Sequence, residues 1–476
     1  MTGSRIRVLG AAFAAVPSSR PHASAMRSMI DALRCELDLV TLKTEDLPHI
    51  KRINEARMFR VPVGQSGRLE QRSVYARAVA RQLEAEPYQV VHVLDPWAGE
   101  VAASKKSERG FTLLYEMATF PEAESQAWLE AHQRTIEQAD RVLVASEASR
   151  VAIEAMHDLA GRVDVVRPGI DVGGYDWGGQ GPHGAPRLLF FGPFTPSRDL
   201  GTLLDAIARV AKHRPIRALL AGDRSETRRA ALRDEVKRRS LEAIVDVRGE
   251  PKPYRIPGIF AASDVCVAPS AGRLAAGCAE LPQPLLEYLA CYRPVVAADV
   301  PGVSELVRDE VEGLLYPAGS ASALADAILE VLRDAVLRER ITETGYRRVR
   351  DELNSGARRR HIREIYELVA PGTQTHDPWE ESFENITGMI ELGTGAIEIL
   401  EEGEEMDSLP PAPRPDVDTA ETDAPTERLG EPTRPFVPPP RRSDRSPTIP
   451  AETGMPGIGS DTNPGLLVPD TDPGRS

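Results

Sequence analysis

Short apolar runs alternate with amphipathic stretches along the first 370 residues of the chain. In the first part the runs are RIRVLG, LDLVTL, YQVVHVL, FTLLYEM and DRVLVAS. In the second they are PRLLFFG, IRALLAG, AIVDVRG, DVCVAPS and RPVVAAD. Each run is apolar at consecutive positions, the pattern of strands in a parallel sheet covered on both faces. The stretches between them carry apolar residues at helical spacing, so repeated βαβ units are expected. Between the two sets, DVGGYDWGGQGPHGAP (171–186) is rich enough in glycine to read as loop or linker. The expected class is therefore α/β, with two Rossmann-like, doubly wound domains over 1–170 and 187–350 facing a cleft. SASALADAILEVLRDAVLRERITETGYRRVRDEL reads as one long helix, and a last helix over 351–370, ending in IYELV, closes the folded region.

The N-terminus has two readings. Arg5 and Arg7 precede VLGAAFAAV, and ASA follows at 23–25, an arrangement close to that of a signal peptide. The same residues read better as a buried first strand with the helix HASAMRSMIDALR behind it. A cytoplasmic protein is expected, with peripheral attachment at the inner membrane face as the variant. No apolar run approaches the roughly 20 residues of a membrane span.

Charge divides the chain more sharply than hydropathy does. The formal net charge of −14 comes from 58 basic and 72 acidic residues. Residues 371–476 hold 22 acidic residues against 7 arginines, which leaves 51 basic and 50 acidic residues in 1–370. The folded part is thus nearly neutral, and a nucleic-acid partner is not expected. Eighteen of the 40 prolines also lie in 371–476, which reads as an acidic, Pro-rich and mostly disordered tail. One stretch in it, ITGMIELGTGAIEILEEGEEM, keeps enough Ile and Leu to form a helix or hairpin on a protein partner. Cys35, Cys266, Cys278 and Cys291 form no C-x-x-C, so neither a metal site nor a disulfide framework is expected.

In facing Rossmann-like domains, ligands sit beyond the carboxyl ends of the strands. The first βα turn lacks G-x-G-x-x-G, so a nicotinamide enzyme is not expected. In LLFFGPFTPSRDLGTLLDAI a strand passes through Gly192 into a helix with Arg198 at its start. An arginine there suits a diphosphate beside a helix N-terminus, although a solvated loop arginine fits the local sequence equally well. Farther on, VCVAPS is followed by a loop with Gly272 and Gly277, then by AELPQPLLEYLA. Pro282 and Pro284 suit the start of a helix, and backbone N–H groups near Leu285 and Leu286 would face the cleft. Glu287, in the first turns, is placed to accept both hydroxyls of a ribose. Taken alone, it would be read as compensation of the helix dipole.

The surroundings shift that balance. ELPQPLLEYLACYRPVVAADVPGVSELVRDEVEGLLYPAGSASALADAI resembles the donor-binding half of family-four retaining glycosyltransferases, which have the GT-B fold. The resemblance covers residues 5–370. GIFAASDVCVAPS, LLEYLACYRPVVA, PGVSELV and EGLLYPAGSASALADAI follow the family's order. YQVVHVLDPWAG, LLYEMATFPE, ADRVLVASEASR and VDVVRPGIDV fit more loosely. It implies metal-independent transfer of a hexosyl group, with retention, from a nucleotide sugar to a glycan, lipid or small-molecule acceptor. No cofactor is implied beyond the donor as substrate, and loops such as KTEDLPHIKRINEARMFRVPVG would choose the acceptor.

On this resemblance Glu287 matches the glutamate expected on the donor ribose, and Arg198 takes the place of a phosphate-binding lysine. Gly192 lies in the first donor-site turn, and Gly302 and Ser304 of GVSEL would meet the phosphates or the ribose. The family's other glutamate would fall at Ala279, so Glu280, one residue late, is the candidate catalytic carboxylate. The arginine of the donor-site turn is Pro193, the histidine after YE is Ala118, and HASA around His22 replaces a glycine pair. Arg198, Arg273 and helix N-termini are candidates to offset the lost cation. His92, inside an apolar strand, reads as a core histidine at least as well as a ligand. These departures keep open an alternative, a catalytically degenerate GT-B scaffold acting through its tail. An epimerase of related fold lacks an evident acid/base carboxylate set.

Overall fold

A computed structural model of the chain describes residues 6–16, 21–44, 47–64, 67–117, 126–175, 184–272 and 281–371. The first domain is built on β1 (Arg7–Ala15), β2 (Glu36–Leu42), β3 (Ile50–Ile53), β4 (Ala56–Val61), β5 (Val90–Val93), β6 (Thr112–Glu116), β7 (Arg141–Val144) and β8 (Val163–Val165). Its helices are α1 (Pro21–Ala32), α2 (Arg68–Ala85), α3 (Pro96–Arg109), α4 (Gln126–Gln138) and α5 (Glu147–His157). The strand order is β3-β4-β2-β1-β5-β6-β7-β8. Only β3 runs antiparallel to its neighbour. Successive residues of a strand point to opposite faces. Accordingly Val8, Ala12 and Ala14 enter one apolar cluster, while Leu9 and Ala11 enter the other. The first apolar run therefore forms a buried central strand over Arg7–Ala15, between β2 and β5.

The second domain contains β9 (Arg187–Phe191), β10 (Arg217–Asp223), β11 (Val245–Gly249), β12 (Val265–Ala268), β13 (Val295–Asp299) and β14 (Leu314–Pro317). They form one parallel sheet in the order β11-β10-β9-β12-β13-β14. Helices α6 (Leu200–Ala211), α7 (Glu226–Arg238), α8 (Ile256–Ala261), α9 (Gln283–Ala290), α10 (Val303–Leu306), α11 (Ala321–Arg333) and α12 (Ala335–Asp351) surround it. The final helix is α13 (Ser355–Val369).

Three local features depart from the sequence reading. KTEDLPHIKRINEARMFRVPVG carries the β3–β4 hairpin, turning at Asn54 with φ of 54°. Its basic residues masked the strand signal. The helix read over 320–353 is two, broken at Asp334, whose carboxylate accepts from the N–H groups of Val336 and Leu337 at 3.0 and 2.9 Å. An aspartate that caps a new helix in this way competes with continuation of the old one. The closing helix α13 also returns to the first domain, where Ile362, Ile365 and Tyr366 join the core beside α1. The two crossing segments touch at Gly169, where a Cβ would fall 2.4 Å from the Asn354 carbonyl.

Buried charges fasten α13. The Arg358 guanidinium binds Glu116 at the end of β6 and donates to the Ser28 hydroxyl at 3.1 Å. His92 Nε2 lies 3.2 Å from the same carboxylate, and its Nδ1 is 3.1 Å from the Tyr366 hydroxyl. Burial would raise the Glu116 carboxyl, but Arg358 and His92 outweigh it and bring it down to about 2. His92 is thus a partnered core histidine. The tail beyond 371, with its proposed helix or hairpin, lies outside the described residues.

Candidate functional site

Strand order in the second sheet reverses beside β9, whose neighbours are β10 and β12. Such a switch point leaves a crevice at the carboxyl ends of the strands. Gly192, just after β9, adopts φ of 152° and donates its N–H to the Ala221 carbonyl at 2.9 Å. The approach is close, since a Cβ on Gly222 would lie 2.7 Å from the Gly192 nitrogen. The turn is held from below by Asp223, a residue the sequence reading missed. Its buried carboxylate accepts from the N–H groups of Phe194 and Ser225 at 2.5 and 2.7 Å. Arg228 also donates to it at 2.7 Å. Burial works against ionisation here, yet Arg228 and the backbone donors hold the Asp223 carboxyl below its ordinary value. The visible signal was a carboxylate ending the strand IRALLAGD, facing the end of its neighbour.

The turn ends in a short 3-10 segment, Pro196–Arg198, and Asp199 in the left-handed region then begins α6. Arg198 is buried at this junction. The Ala271 N–H donates to the Ser197 carbonyl at 2.8 Å, which draws the loop after β12 against the Arg198 turn. Arg273 and Glu280 in that loop lie outside the described residues, as do Ala279 and Ala118.

Helix α9 starts after Pro282, with Pro284 in its first turn. The Leu285 N–H is bonded to the Pro282 carbonyl at 2.9 Å, so this donor closes the first turn. The Leu285 and Leu286 side chains belong to the core. Glu287, the next residue of the helix, is 5% exposed. Burial pushes its carboxyl up to about 7, against the hydrogen bond it accepts from the Tyr175 hydroxyl at 3.2 Å. Tyr175 belongs to the segment joining the domains, and nothing in that Gly-rich sequence marked it as a partner. The adjacent Tyr288 ties α9 to the turn after β9, accepting from the Phe191 N–H at 2.7 Å. Burial holds the Tyr288 phenol well above its ordinary value, and Arg198 is close enough to oppose that. Glu287, Gly192 and Arg198 thus share one neighbourhood.

Gly302, buried with φ of 90°, opens the loop after β13. The Ser304 hydroxyl donates to Asp299 at 2.7 Å, and its N–H to the Val300 carbonyl at 3.2 Å, so both serve the loop's own closure. At the matching crevice of the first sheet, between β1 and β5, Asp95 is buried. It accepts from the N–H groups of Phe13, Trp97 and Ala98 at 2.6, 2.9 and 3.0 Å. Burial nevertheless lifts its carboxyl to about 6. No group of three or more metal-ligating side chains occurs among the described residues. No helix among them is long and apolar enough to cross a membrane.

Two parallel-sheet Rossmann-like domains, with strand-end loops converging at a switch point, define the GT-B class. The pattern described as Glycosyl transferases group 1 matches residues 185–334, and Glycosyl transferase 4-like domain matches 19–169. The chain belongs to this glycosyltransferase family. It is 32% identical over 194 residues to a phosphatidyl-myo-inositol mannosyltransferase of Mycobacterium leprae, covering 39% of this chain and 49% of the relative. It is 28% identical over 302 residues to a D-inositol 3-phosphate glycosyltransferase of Kribbella flavida, covering 56% and 68%. Sucrose-phosphate synthase from Thermosynechococcus elongatus superposes with a TM-score of 0.66 at 21% identity, over 77% of this chain and 99% of that one. Anabaena HepE in complex with UDP and glucose gives 0.62 at 20%, over 76% and 100%. These two likenesses show the fold. Against the curated relatives the aligned part spans about half to two thirds of their length.

Proposed function

We propose that the protein transfers a sugar, with retention and without a metal ion, from a nucleotide-activated donor bound in the second domain to an acceptor held by the first. The observation that carries this reading is Glu287. A buried carboxyl whose one side-chain hydrogen-bond partner among the described residues is the Tyr175 phenol is costly to ionise. Placed at the switch point next to the Arg198 turn, it gains its missing donors when a ribose presents two vicinal hydroxyls. Arg198 would meet the diphosphate, whose growing charge on the leaving group a fixed cation stabilises. With such a cation in place, a metal ion is not needed to neutralise the phosphates.

Catalysis at the sugar would draw on Glu280, and the acceptor would be a glycan, lipid or small molecule entering over the first sheet. HepE is described with UDP and UDP-glucose, which favours a uridine nucleotide in the first trials. The protein would work in the cytoplasm or at the inner membrane face, with the tail free for a protein partner.

The test is turnover across a panel of nucleotide sugars, with product anomers read by NMR. The wild type should convert at least one donor, and Glu287→Ala and Arg198→Ala should lose most of that rate. Binding without turnover would support the degenerate scaffold. No binding of any donor would remove the proposal altogether.

A further inference from the structure

Glu305, in the donor-side loop after β13, makes contacts that neither nucleotide binding nor local folding requires. Its carboxylate reaches the other domain. Oε2 accepts from the Glu147 N–H and Oε1 from the Ala148 N–H, each at 2.8 Å. These are the first two N–H groups of α5, which no bond within the helix satisfies. The helix's own cap, Ser146, serves the third, accepting from Ser149 at 3.1 Å. Arg167, also in the first domain, places its guanidinium 3.8 Å from Glu305 Oε2. On the second-domain side, Arg348 of α12 donates to the Glu305 main-chain carbonyl at 2.8 Å. One residue is therefore held by its backbone to one domain and by its side chain to the other.

We propose that Glu305 is a positioning residue that clamps the 302–306 loop to the start of α5 when the cleft closes. Its place in the chain makes this consequential. Glu305 follows Ser304 directly and lies three residues after Gly302, on the single turn α10, so its side chain and the loop move together. Separating the domains would put a half-buried carboxylate and two amides into water, which solvates all three. The clamp thus biases the open–closed equilibrium while adding little to overall stability. It rests on the proposed transferase reading for its consequence in turnover, while the contact itself can be tested without any substrate.

Two variants break it from opposite sides. Glu305→Gln keeps the shape but replaces one acceptor oxygen by a donor facing an N–H. Glu147→Pro deletes one of the two N–H groups at the first helical position, where proline is tolerated. Hydrogen exchange of the full chain should quicken about tenfold or more at the 147–150 amides in the first variant, with other helices unchanged. With an active donor, kcat should fall about tenfold in both variants while the dissociation constant for UDP changes less than about threefold. A purely structural role would instead lower the melting temperature and move both constants together. Unchanged exchange at 147–150 overturns the clamp. Quickened exchange with unchanged kcat overturns its positioning role. If no donor is turned over at all, the transferase reading fails separately and the exchange result alone decides the clamp.

Discussion

The Glu287 carboxyl sits in the core with the Tyr175 phenol donating to it, and its value of about 7 stands above the ordinary 4.5. Between those values the folded chain holds a proton that the unfolded chain releases. The resulting stabilisation is complete below about pH 4.5 and is lost as pH rises through 7, a change on the order of 3 kcal/mol. Glu287→Gln should therefore melt higher than wild type at pH 8 and nearly with it at pH 5, as read by calorimetry. The same variant should bind nucleotide more weakly, because the amide is uncharged and offers one acceptor oxygen where the carboxylate offers two. Tyr175→Phe removes the bond that opposes burial, so the Glu287 carboxyl should move higher still. Nucleotide affinity of that variant should drop at pH 7 and recover near pH 8.5. Equal pH profiles for Tyr175→Phe and wild type would show that the phenol does not govern the carboxyl.

Helix α13 belongs to the first domain in space although it follows the second in sequence. Its attachment depends on Arg358 and Glu116, both buried. Removing one member leaves the other charge unpaired in the core and should cost about 3–5 kcal/mol. Denaturant unfolding of Arg358→Met, of Glu116→Gln and of the double variant should show the double change costing less than the two singles together. Elements of this kind were unevenly legible in the sequence. The ten apolar runs all became strands, because a parallel sheet covered on both faces buries successive residues of a strand alike. The β3–β4 hairpin was hidden because Lys51, Arg52, Arg57 and Arg60 interrupt its apolar pattern, so the segment read as loop. Glu287, Arg198 and Gly192 were singled out as candidates by their places relative to strand ends and by the family resemblance, and the structure gathers them around the end of β9. Tyr175 and Glu305 were not singled out, since each acts on residues far away in the chain that no local pattern encodes, and Asp223 was overlooked although it ends the strand IRALLAGD.

Across the whole molecule, charge is segregated, with −15 in 371–476 and +1 in 1–370. Removing 377–476 should leave the melting temperature nearly unchanged while sharply weakening retention on an anion exchanger. A large fall in melting temperature would mean that the tail packs on the domains. The domains themselves, joined through 171–186 and again through 353–355, each carry one switch-point crevice, β1/β5 in the first sheet and β9/β12 in the second. The most direct test of a donor site in the second is titration calorimetry of the full chain at pH 8 with UDP, GDP and ADP in turn. One nucleotide should bind, and Glu287→Ala and Arg198→Ala should each weaken it about tenfold or more, the worth of charge-assisted hydrogen bonds. Binding that survives both substitutions unchanged would place the nucleotide elsewhere and contradict the assignment.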